Sequence, residues 1–177
     1  MLGLPLIIVG VIALYIILSG IFTVKQQSAT VIERFGKFHS IKQSGLHFKI
    51  PVFDRISGRL SLKIQQLDVR VETKTKDNVF VRMNVSVQYR VLADSIYDAF
   101  YKLDNPTEQI TSYVFDVVRA EVPKLKLDDV FERKDDIAIA IRRELEEAMT
   151  DYGYGIVKAL VTDIDPNEEV KVAMNQI

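Results

Sequence analysis

The sequence predicts an α+β protein in which an apolar N-terminal helix precedes a mixed β-sheet with helices and a final long helix. Three observations carry this prediction. Residues 2–24 contain no charged side chain, whereas all 23 Lys and Arg and all 24 Asp and Glu follow Val24. Apolar and polar residues alternate over 79–91, which is the period of a half-buried strand. Helical spacing of apolar residues then dominates from 94 to 149.

The uncharged segment 2–24 predicts a single transmembrane anchor. A helix of this length rises about 34 Å, and a hydrocarbon core is roughly 30 Å thick. The polar residues Tyr15, Ser19 and Thr23 suit a membrane interface. A cleaved signal peptide is the alternative, but the sequence disfavours it, because no Lys or Arg precedes the run and no small-residue cleavage site precedes Lys25.

Charged residues are distributed unevenly after this segment. Between residues 25 and 55, six Lys and Arg face only two acids, whereas between residues 128 and 151 nine acids face four Lys and Arg. Nothing basic precedes the apolar segment, so the positive-inside rule predicts a short N-terminus outside and the large domain in the cytoplasm. The basic stretch is also suited to rest on anionic lipid.

Composition excludes several classes of function. The chain contains no cysteine, which excludes a disulfide framework, a thiol nucleophile and a thiolate zinc site. A net charge of −1 and a pI near 6.1 provide no general attraction to nucleic acid, so we expect no nucleic-acid partner. The residues after Val24 suffice for one ordinary domain or two small ones.

The strand pattern defines two parts of the folded region. Alternation begins near residue 29, is interrupted by glycine and proline, and reaches a hairpin turn predicted at 75–78, just before the strand at 79–91. We therefore predict a membrane-proximal β-rich subdomain over 25–75 and a second α/β subdomain over 76–164.

Three helices are predicted after the long strand. Asp94 is positioned to cap the first, and the second begins after Asn105. The third is expected to be capped by Asp135 or Asp136 and to end at Gly153. All three carry their apolar residues on one face, which indicates packing against a sheet.

The end of the chain predicts one more strand and one more helix. Residues 156–164 read as a strand that returns to the sheet. Asp165 and Pro166 then resemble a helix start, with a capping side chain followed by proline at the first helical position. The apolar stripe continues to Ile177 without a stop signal, so we expect residues 165–177 to begin a long helix or coiled coil of a truncated chain.

Candidate catalytic and metal-binding residues are few. His39 and His47 lie in a turn-rich stretch without accompanying acids, which favours solvated surface positions over metal ligands or a catalytic base. Asp163 and Asp165 are two residues apart, as paired acid–base carboxylates would be, but helix capping explains Asp165 equally well. We therefore predict no catalytic residues, no cofactor and no metal.

The segment 48–53 stands out as a candidate for membrane contact. It is rich in apolar and aromatic residues, is flanked by Lys49 and Arg55, and follows the apolar N-terminal segment closely. The residues expected to touch lipid are Phe48, Ile50, Val52 and Phe53. The alternative is a core strand with proline at its edge.

Several sequence blocks resemble a known family. The chain is similar, from about Ser28 to its last residue, to the stomatin/prohibitin/flotillin (SPFH, band 7) superfamily, and in particular to its hypersensitive-induced-response type. The blocks that carry this resemblance occur in the family's order and comprise residues 72–81, 87–90, 99–103, 113–120, 122–125, 127–132 and 163–166.

The resemblance implies a band-7 domain in two parts, followed by a coiled-coil helix within a large homo-oligomeric ring or cage. Members organise membrane microdomains and associate with membrane proteases or other membrane proteins, without an accepted catalytic site. Plant members of the hypersensitive-induced-response type are held on membranes by lipidation, whereas this chain has an apolar segment and no glycine directly after Met1. This departure suggests a prokaryotic protein of the bacterial inner membrane. Some relatives place the domain outside the cytoplasm.

The leading functional hypothesis is a non-enzymatic membrane scaffold that assembles with copies of itself and encloses lipid and proteins. A monomeric lipid-binding module and a membrane-bound protease are the alternatives. Contacts between copies are predicted to pair the basic stretch with the acidic one, although a solvated helix face explains the acids as simply. The residues expected at these contacts are Asp128, Asp135, Asp136, Arg142 and Arg143.

Overall fold

The computed structural model describes residues 3–166. The chain divides between Lys63 and Ile64 into two compact units, Met1–Lys63 and Ile64–Ile177. We call them unit 1 and unit 2. The predicted α+β fold is confirmed, because both units contain antiparallel strands together with helices. The predicted subdomain boundary at 75/76 falls in a hairpin turn of unit 2, and the units divide instead between Lys63 and Ile64.

Unit 1 consists of one helix and two small antiparallel sheets. In chain order its elements are α1 (Gly3–Ser19), β1 (Ile21–Val24), β2 (Ser28–Arg34), β3 (Lys37–Lys42), β4 (Gly45–Phe48) and β5 (Asp54–Ser61). β1 pairs with β4, and β2 lies between β3 and β5. Strand β2 supplies most of the small core, with Ala29, Val31 and Ile32 almost fully buried.

Helix α1 is shorter than the predicted anchor. It ends at Ser19 after 17 residues, and residues Ile21–Val24 form β1 instead of continuing the helix. The physical reason is the ladder that β1 forms with β4, which satisfies its backbone groups outside the helix. Over residues 3–166, no helix has both the length and the apolar character required to cross a membrane.

Unit 2 is built on a three-stranded antiparallel sheet with helices. Its strands are β6 (Gln65–Lys74), β7 (Phe80–Val91) and β8 (Tyr154–Pro166), in the order β6-β7-β8. Its helices are α2 (Ile96–Tyr101), α3 (Pro106–Glu121), α4 (Leu127–Glu132) and α5 (Lys134–Thr150), with a short 3-10 turn at Val122–Lys124.

The core of unit 2 follows the predicted periodicities. On β7 the alternate residues Val81, Met83, Val85, Val87, Tyr89 and Val91 are each less than 5% exposed. Helix α5 packs on β8, and α3 packs on α5 and β6. Of the predicted inward residues of α5, Ile137, Ile141, Leu145 and Met149 are buried, whereas Ala148 is only partly buried. The hydrophobic effect on these aligned faces therefore holds unit 2 together.

Three predicted helix starts are wrong. Asp94 was expected to cap α2, but the N-cap residue of that helix is Ser95. Helix α5 begins at Lys134 with Arg133 at its N-cap, so Asp135 and Asp136 lie in its first turn. Asp165 and Pro166 do not begin a helix, because they pair with Arg82 and Val81 at the end of β8. The rest of the predicted C-terminal helix, residues 167–177, lies outside the described residues.

The predicted turn between β6 and β7 is confirmed, and a carboxylate connects it to α4. Asp77 accepts hydrogen bonds from the Thr75 hydroxyl at 2.5 Å and from the Leu127 N–H at 3.2 Å. The hydrogen bond from Thr75 is the main reason that the pKa of Asp77 is lowered. This carboxylate joins two segments 50 residues apart in unit 2.

Replacing Gly153 tests how closely the end of α5 approaches α2. Gly153 has a φ of +79°, and a Cβ there would overlap the Ser95 carbonyl oxygen and lie 2.9 Å from the Ala99 nitrogen. We expect Gly153→Ala to lower the free energy of unfolding by about 2–5 kcal/mol, from both strain and overlap. Urea unfolding followed by circular dichroism measures this loss.

Gly36→Ala is the matched control, because Gly36 has a φ of +75° and open space around its missing Cβ. It should lose only the conformational part, about 1–2 kcal/mol. Equal losses in the two variants would show that the close approach at Gly153 contributes nothing.

Candidate functional site

Two loops at one end of the β3-β2-β5 sheet carry exposed apolar side chains. Phe35 lies in the turn between β2 and β3, and the other residues lie at or after the end of β4, before β5 begins. The register brings these loops together, because Arg34 pairs with both Lys37 and Asp54. We define the apolar tip as Phe35, Phe48, Ile50, Val52 and Phe53, which are 78%, 53%, 40%, 75% and 48% exposed.

The four residues predicted for membrane contact are therefore all solvent-facing. Residues 49–53 form a loop and not a strand, so the alternative prediction of a core strand is wrong for this segment. The Phe53 ring lies 5.4 Å from the Phe35 ring, centroid to centroid, which makes the tip one cluster. Lipid contact itself stays a prediction, and the structure supplies a surface suited to it.

A partly buried ion pair holds the loop of the tip in place. The Arg34 guanidinium donates to the Asp54 carboxylate from Nε at 2.6 Å and from Nη2 at 3.2 Å. The Asp54 side chain is 5% exposed, against 35% for Arg34. Bidentate pairing of this kind fixes geometry as well as charge.

The same carboxylate organises the loop backbone. Asp54 Oδ2 accepts the Ile50 N–H at 2.9 Å, and the N–H groups of Asp54 and Phe53 donate to the Ile50 carbonyl at 2.8 and 3.1 Å. The hydrogen bond from Arg34, followed by that from Ile50, lowers the pKa of Asp54 to about 2. Reciprocally, Asp54 raises the pKa of Arg34. The pair is therefore fully ionised at neutral pH.

The end of the apolar helix α1 lies directly against the tip. The Lys49 N–H donates to the Gly20 carbonyl at 2.8 Å. A Cβ at Gly20 would overlap the Phe48 ring and lie 2.5 Å from the Lys49 carbonyl oxygen, so only glycine permits this approach. Large apolar residues from Ile7 to Leu18 are 42–73% exposed on α1. Helix and tip thus form a continuous apolar surface of unit 1.

The five residues predicted for contacts between copies lie on α4 and α5 of unit 2, and all five are exposed. Arg142 lies 3.8 Å from Glu146 and Arg143 lies 4.0 Å from Glu144, so these charges have partners on their own helix. Asp136 likewise pairs with Arg133 at 3.0 Å. Each of these exposed pairs contributes little to stability.

Only two of these five residues meet in one depression. Asp136 and Arg143 line an open groove of about 660 Å³ between α3 and α5, whereas Asp128, Asp135 and Arg142 do not. The groove also contains the apolar residues Val117, Ala120, Ile139 and Ala140, and Ile139 is 66% exposed.

The sequence disfavoured two histidines and two aspartates as catalytic residues or metal ligands. The histidines lie in unit 1, and the aspartates lie in unit 2. The His47 ring is within 2.6 Å of the Gln43 carbonyl, and His39 is exposed on β3. Asp163 and Asp165 lie on β8, opposite Asn84 and Arg82. Across the part of the chain that the structure describes, no three His, Cys, Asp or Glu side chains gather as a metal site would require.

Sequence reasoning missed Phe35 and the Arg34–Asp54 pair. A signal for the pair was present, since Asp54 and Glu33 are the only acids among the residues of unit 1. A signal for Phe35 was also present, because a large aromatic residue precedes Gly36 in a turn. Neither signal identifies its partner, which is 18 or 20 residues away along the chain.

Comparisons with known proteins agree with the resemblance predicted from the sequence blocks. Residues 22–176 match the model of the SPFH domain / Band 7 family. Hypersensitive-induced response protein 4 of Arabidopsis thaliana is 50% identical over 164 residues, which is 92% of this chain and 56% of that protein. Stomatin-like protein 2, mitochondrial, of Homo sapiens is 32% identical over 152 residues, 85% of this chain and 42% of that protein. The chain thus spans about half the length of these relatives, and the predicted resemblance is confirmed.

Removing the charge of Asp54 tests its control of the tip. Asp54→Asn keeps the shape of the side chain but leaves Arg34 without its ionic partner, so unit 1 should lose about 1–3 kcal/mol of stability. The Ile50 amide should also exchange its hydrogen faster, because its acceptor is weakened. Hydrogen exchange followed by mass spectrometry at pH 7 measures both effects.

The pH dependence follows from the depressed pKa of Asp54, about 2 against an ordinary 3.8. The stabilisation is complete above about pH 5 and is lost as pH falls from about 4 toward 2, since the unfolded chain takes up the proton first. The difference between the wild type and Asp54→Asn should therefore shrink at pH 3. If Arg34→Gln and Asp54→Asn have additive effects, the two side chains are not coupled.

Proposed function

The chain belongs to the SPFH domain / Band 7 family, and on this basis we propose that it is a non-enzymatic scaffold that associates with membrane and assembles with copies of itself. The observation that carries the proposal is the continuous apolar surface formed by α1 and the apolar tip. Its function arises from what the assembly encloses and not from a bond that it breaks.

Contact with lipid explains why this surface is exposed. Fully burying one large apolar side chain is worth about 1.5–3 kcal/mol, and ten such residues on α1 alone are more than 40% exposed. Isolated exposed residues are ordinary, but a contiguous apolar patch marks an interaction site. We propose that α1 lies in the hydrocarbon of the membrane and that the tip reaches the same leaflet.

Opposite charges on the two units favour association between copies. Unit 1 has eight Lys and Arg against two acids, a net charge of +6, and unit 2 has fifteen against twenty-two, a net charge of −7, which together equal the −1 of the chain. Unit 1 of one copy and unit 2 of the next therefore attract each other. A contact between different surfaces closes into a ring when its rotation permits.

The finer features of the proposal concern location and partners. We propose that the chain is attached through α1 to a bacterial inner membrane, with the folded units on the cytoplasmic side, where basic residues after an apolar segment are enriched. Assembled copies would surround a patch of lipid and the membrane proteins in it, such as proteases. The sequence blocks shared with the family are the support for this arrangement.

Imaging the assembly tests the scaffold proposal. The protein in its full natural length is extracted in mild detergent and examined by electron microscopy. We expect closed rings or cages. Uniformly small particles would refute the scaffold and favour a monomeric lipid-binding module, provided that crosslinking in the membrane before extraction also detects no neighbours.

Charge reversal tests the contact between copies. Asp128 and Asp135 are exposed and, within the described part of the chain, have no ion-pair partner. Asp128→Lys with Asp135→Lys should therefore weaken the assembly at least tenfold in the concentration needed to form it, measured by light scattering in detergent. Adding Lys25→Glu and Lys42→Glu in unit 1 should restore part of the loss.

Glu147→Lys and Asp151→Lys form the control, because they reverse equal charge on exposed residues at the other end of α5. An assembly that tolerates Asp128→Lys with Asp135→Lys, or that is weakened equally by the control, would exclude the acidic residues predicted for this contact.

A further inference from the structure

Basic side chains surround the apolar tip. Lys37 begins β3 and pairs with Arg34, directly after the turn that carries Phe35. Arg55 is the second residue of β5 and follows the loop that carries Val52. Lys49 lies within that loop. We call Lys37, Lys49 and Arg55 the basic collar.

The charges of the collar are compensated only in part. Asp54, the nearest carboxylate in sequence to Arg55, is occupied by Arg34 in the ion pair at 2.6 Å. Lys37 and Arg55 are exposed, and no ion pair involving either is found among the described residues. Glu33 is opposite Arg55 in the ladder and is the only other acid of unit 1. The end of the sheet that carries the tip is therefore apolar at its extremity and positive around it.

This combination matches one chemical environment. Apolar side chains that enter the acyl region of a leaflet place flanking Lys and Arg at the depth of the phosphates and other headgroup charges. A neutral leaflet provides no net attraction for the collar, whereas an anionic one attracts each Lys or Arg near its surface. A protein partner with an acidic rim would need an apolar socket for five side chains of the tip.

We propose that the apolar tip and its basic collar form a binding site for anionic phospholipid, so that the tip inserts preferentially where the leaflet is negatively charged. This inference rests on the proposed association with membrane and adds its lipid selectivity. The Arg34–Asp54 pair is the positioning element, because it holds the loop that joins the collar to the tip.

The absence of tryptophan from the chain permits a local test. Val52→Trp places a single tryptophan at a site that is 75% exposed and keeps an apolar side chain in the tip. The full chain is reconstituted into vesicles of phosphatidylcholine, or of phosphatidylcholine with increasing phosphatidylserine. Tryptophan emission and its quenching by brominated acyl chains then report insertion of the tip, independently of where α1 resides.

We expect the emission to shift to the blue and quenching to rise as phosphatidylserine is added, with the effect reversed by high salt. Lys37→Gln with Arg55→Gln should reduce the inserted fraction relative to the free one by roughly tenfold or more, since each basic residue near an anionic surface contributes about fivefold. Lys49 is kept, because its backbone contacts Gly20.

Arg59→Gln with Lys63→Gln is the matched control. It removes the same charge from unit 1, but Arg59 lies about 13 Å further along β5 than Arg55, away from the tip. This control should insert as the parent protein does. An equal loss of the inserted fraction in the two double variants would show that insertion depends on net charge and not on the position of the collar. That result would overturn the proposal.

Two further outcomes are distinguishable. Insertion that is equal in neutral and anionic vesicles would overturn the lipid selectivity and leave membrane contact of the tip intact. A tryptophan that stays water-exposed in both vesicles would overturn the proposed contact of the tip, and the selectivity with it.

Discussion

The carboxylate of Asp54 is bonded on three sides, by two nitrogens of Arg34 and by the Ile50 N–H. The loop before β5 depends on these bonds, because they compensate for burying a charge and they fold the backbone back on itself. The exposed apolar residues Ile50, Val52 and Phe53 lie on the backbone that these bonds fix. The pair therefore maintains an apolar surface at the edge of a folded unit.

The Arg34–Asp54 ion pair is important for unit 1 because this unit is small. Its three-stranded sheet buries only a few side chains completely, and its second sheet has only two strands. Such a small unit gains little free energy of folding from burial of apolar surface. One partly buried ion pair and one glycine at the end of α1 consequently define where the exposed apolar residues lie. Unit 2 differs, because the aligned faces of β7, α3 and α5 supply a conventional core.

The distribution of charge gives each unit a distinct role in the proposed scaffold. The positive unit carries the apolar surface, and the negative unit carries the exposed acids of α4 and α5. Positive charge near an apolar surface suits a lipid leaflet, and in the proposed scaffold the same charge would attract the negative unit of another copy. Attachment to membrane and assembly would then be separate consequences of one charge asymmetry, and substitutions in the collar and at the more distant basic residues would distinguish them.

Local periodicity was sufficient to predict much of the fold. The alternation over 79–91, the helical faces of α3 and α5 and the turn at 75–78 depend on neighbouring residues, so the sequence determined them by itself. For Phe48, Ile50, Val52 and Phe53 the sequence left two alternatives open, an exposed surface that contacts lipid and a core strand, and the structure shows these residues exposed. Pairing between distant segments was not predicted, because no local pattern specifies which strand a segment will meet.

Three features of the fold depend on such pairing between distant segments, and only the tertiary structure decided them. Residues 21–24 leave the helix because β4 is available as a partner, and Asp165 with Pro166 extends β8 because β7 continues beside it. Arg34 finds Asp54 across the β2–β5 ladder. The amino-acid sequence by itself determined that the chain has an apolar N-terminal helix, a positively charged unit 1 and a negatively charged unit 2. Only long-range hydrogen bonding between strands decided where the apolar helix ends and which side chains surround its end, because the backbone groups of each segment must find partners wherever the fold provides them.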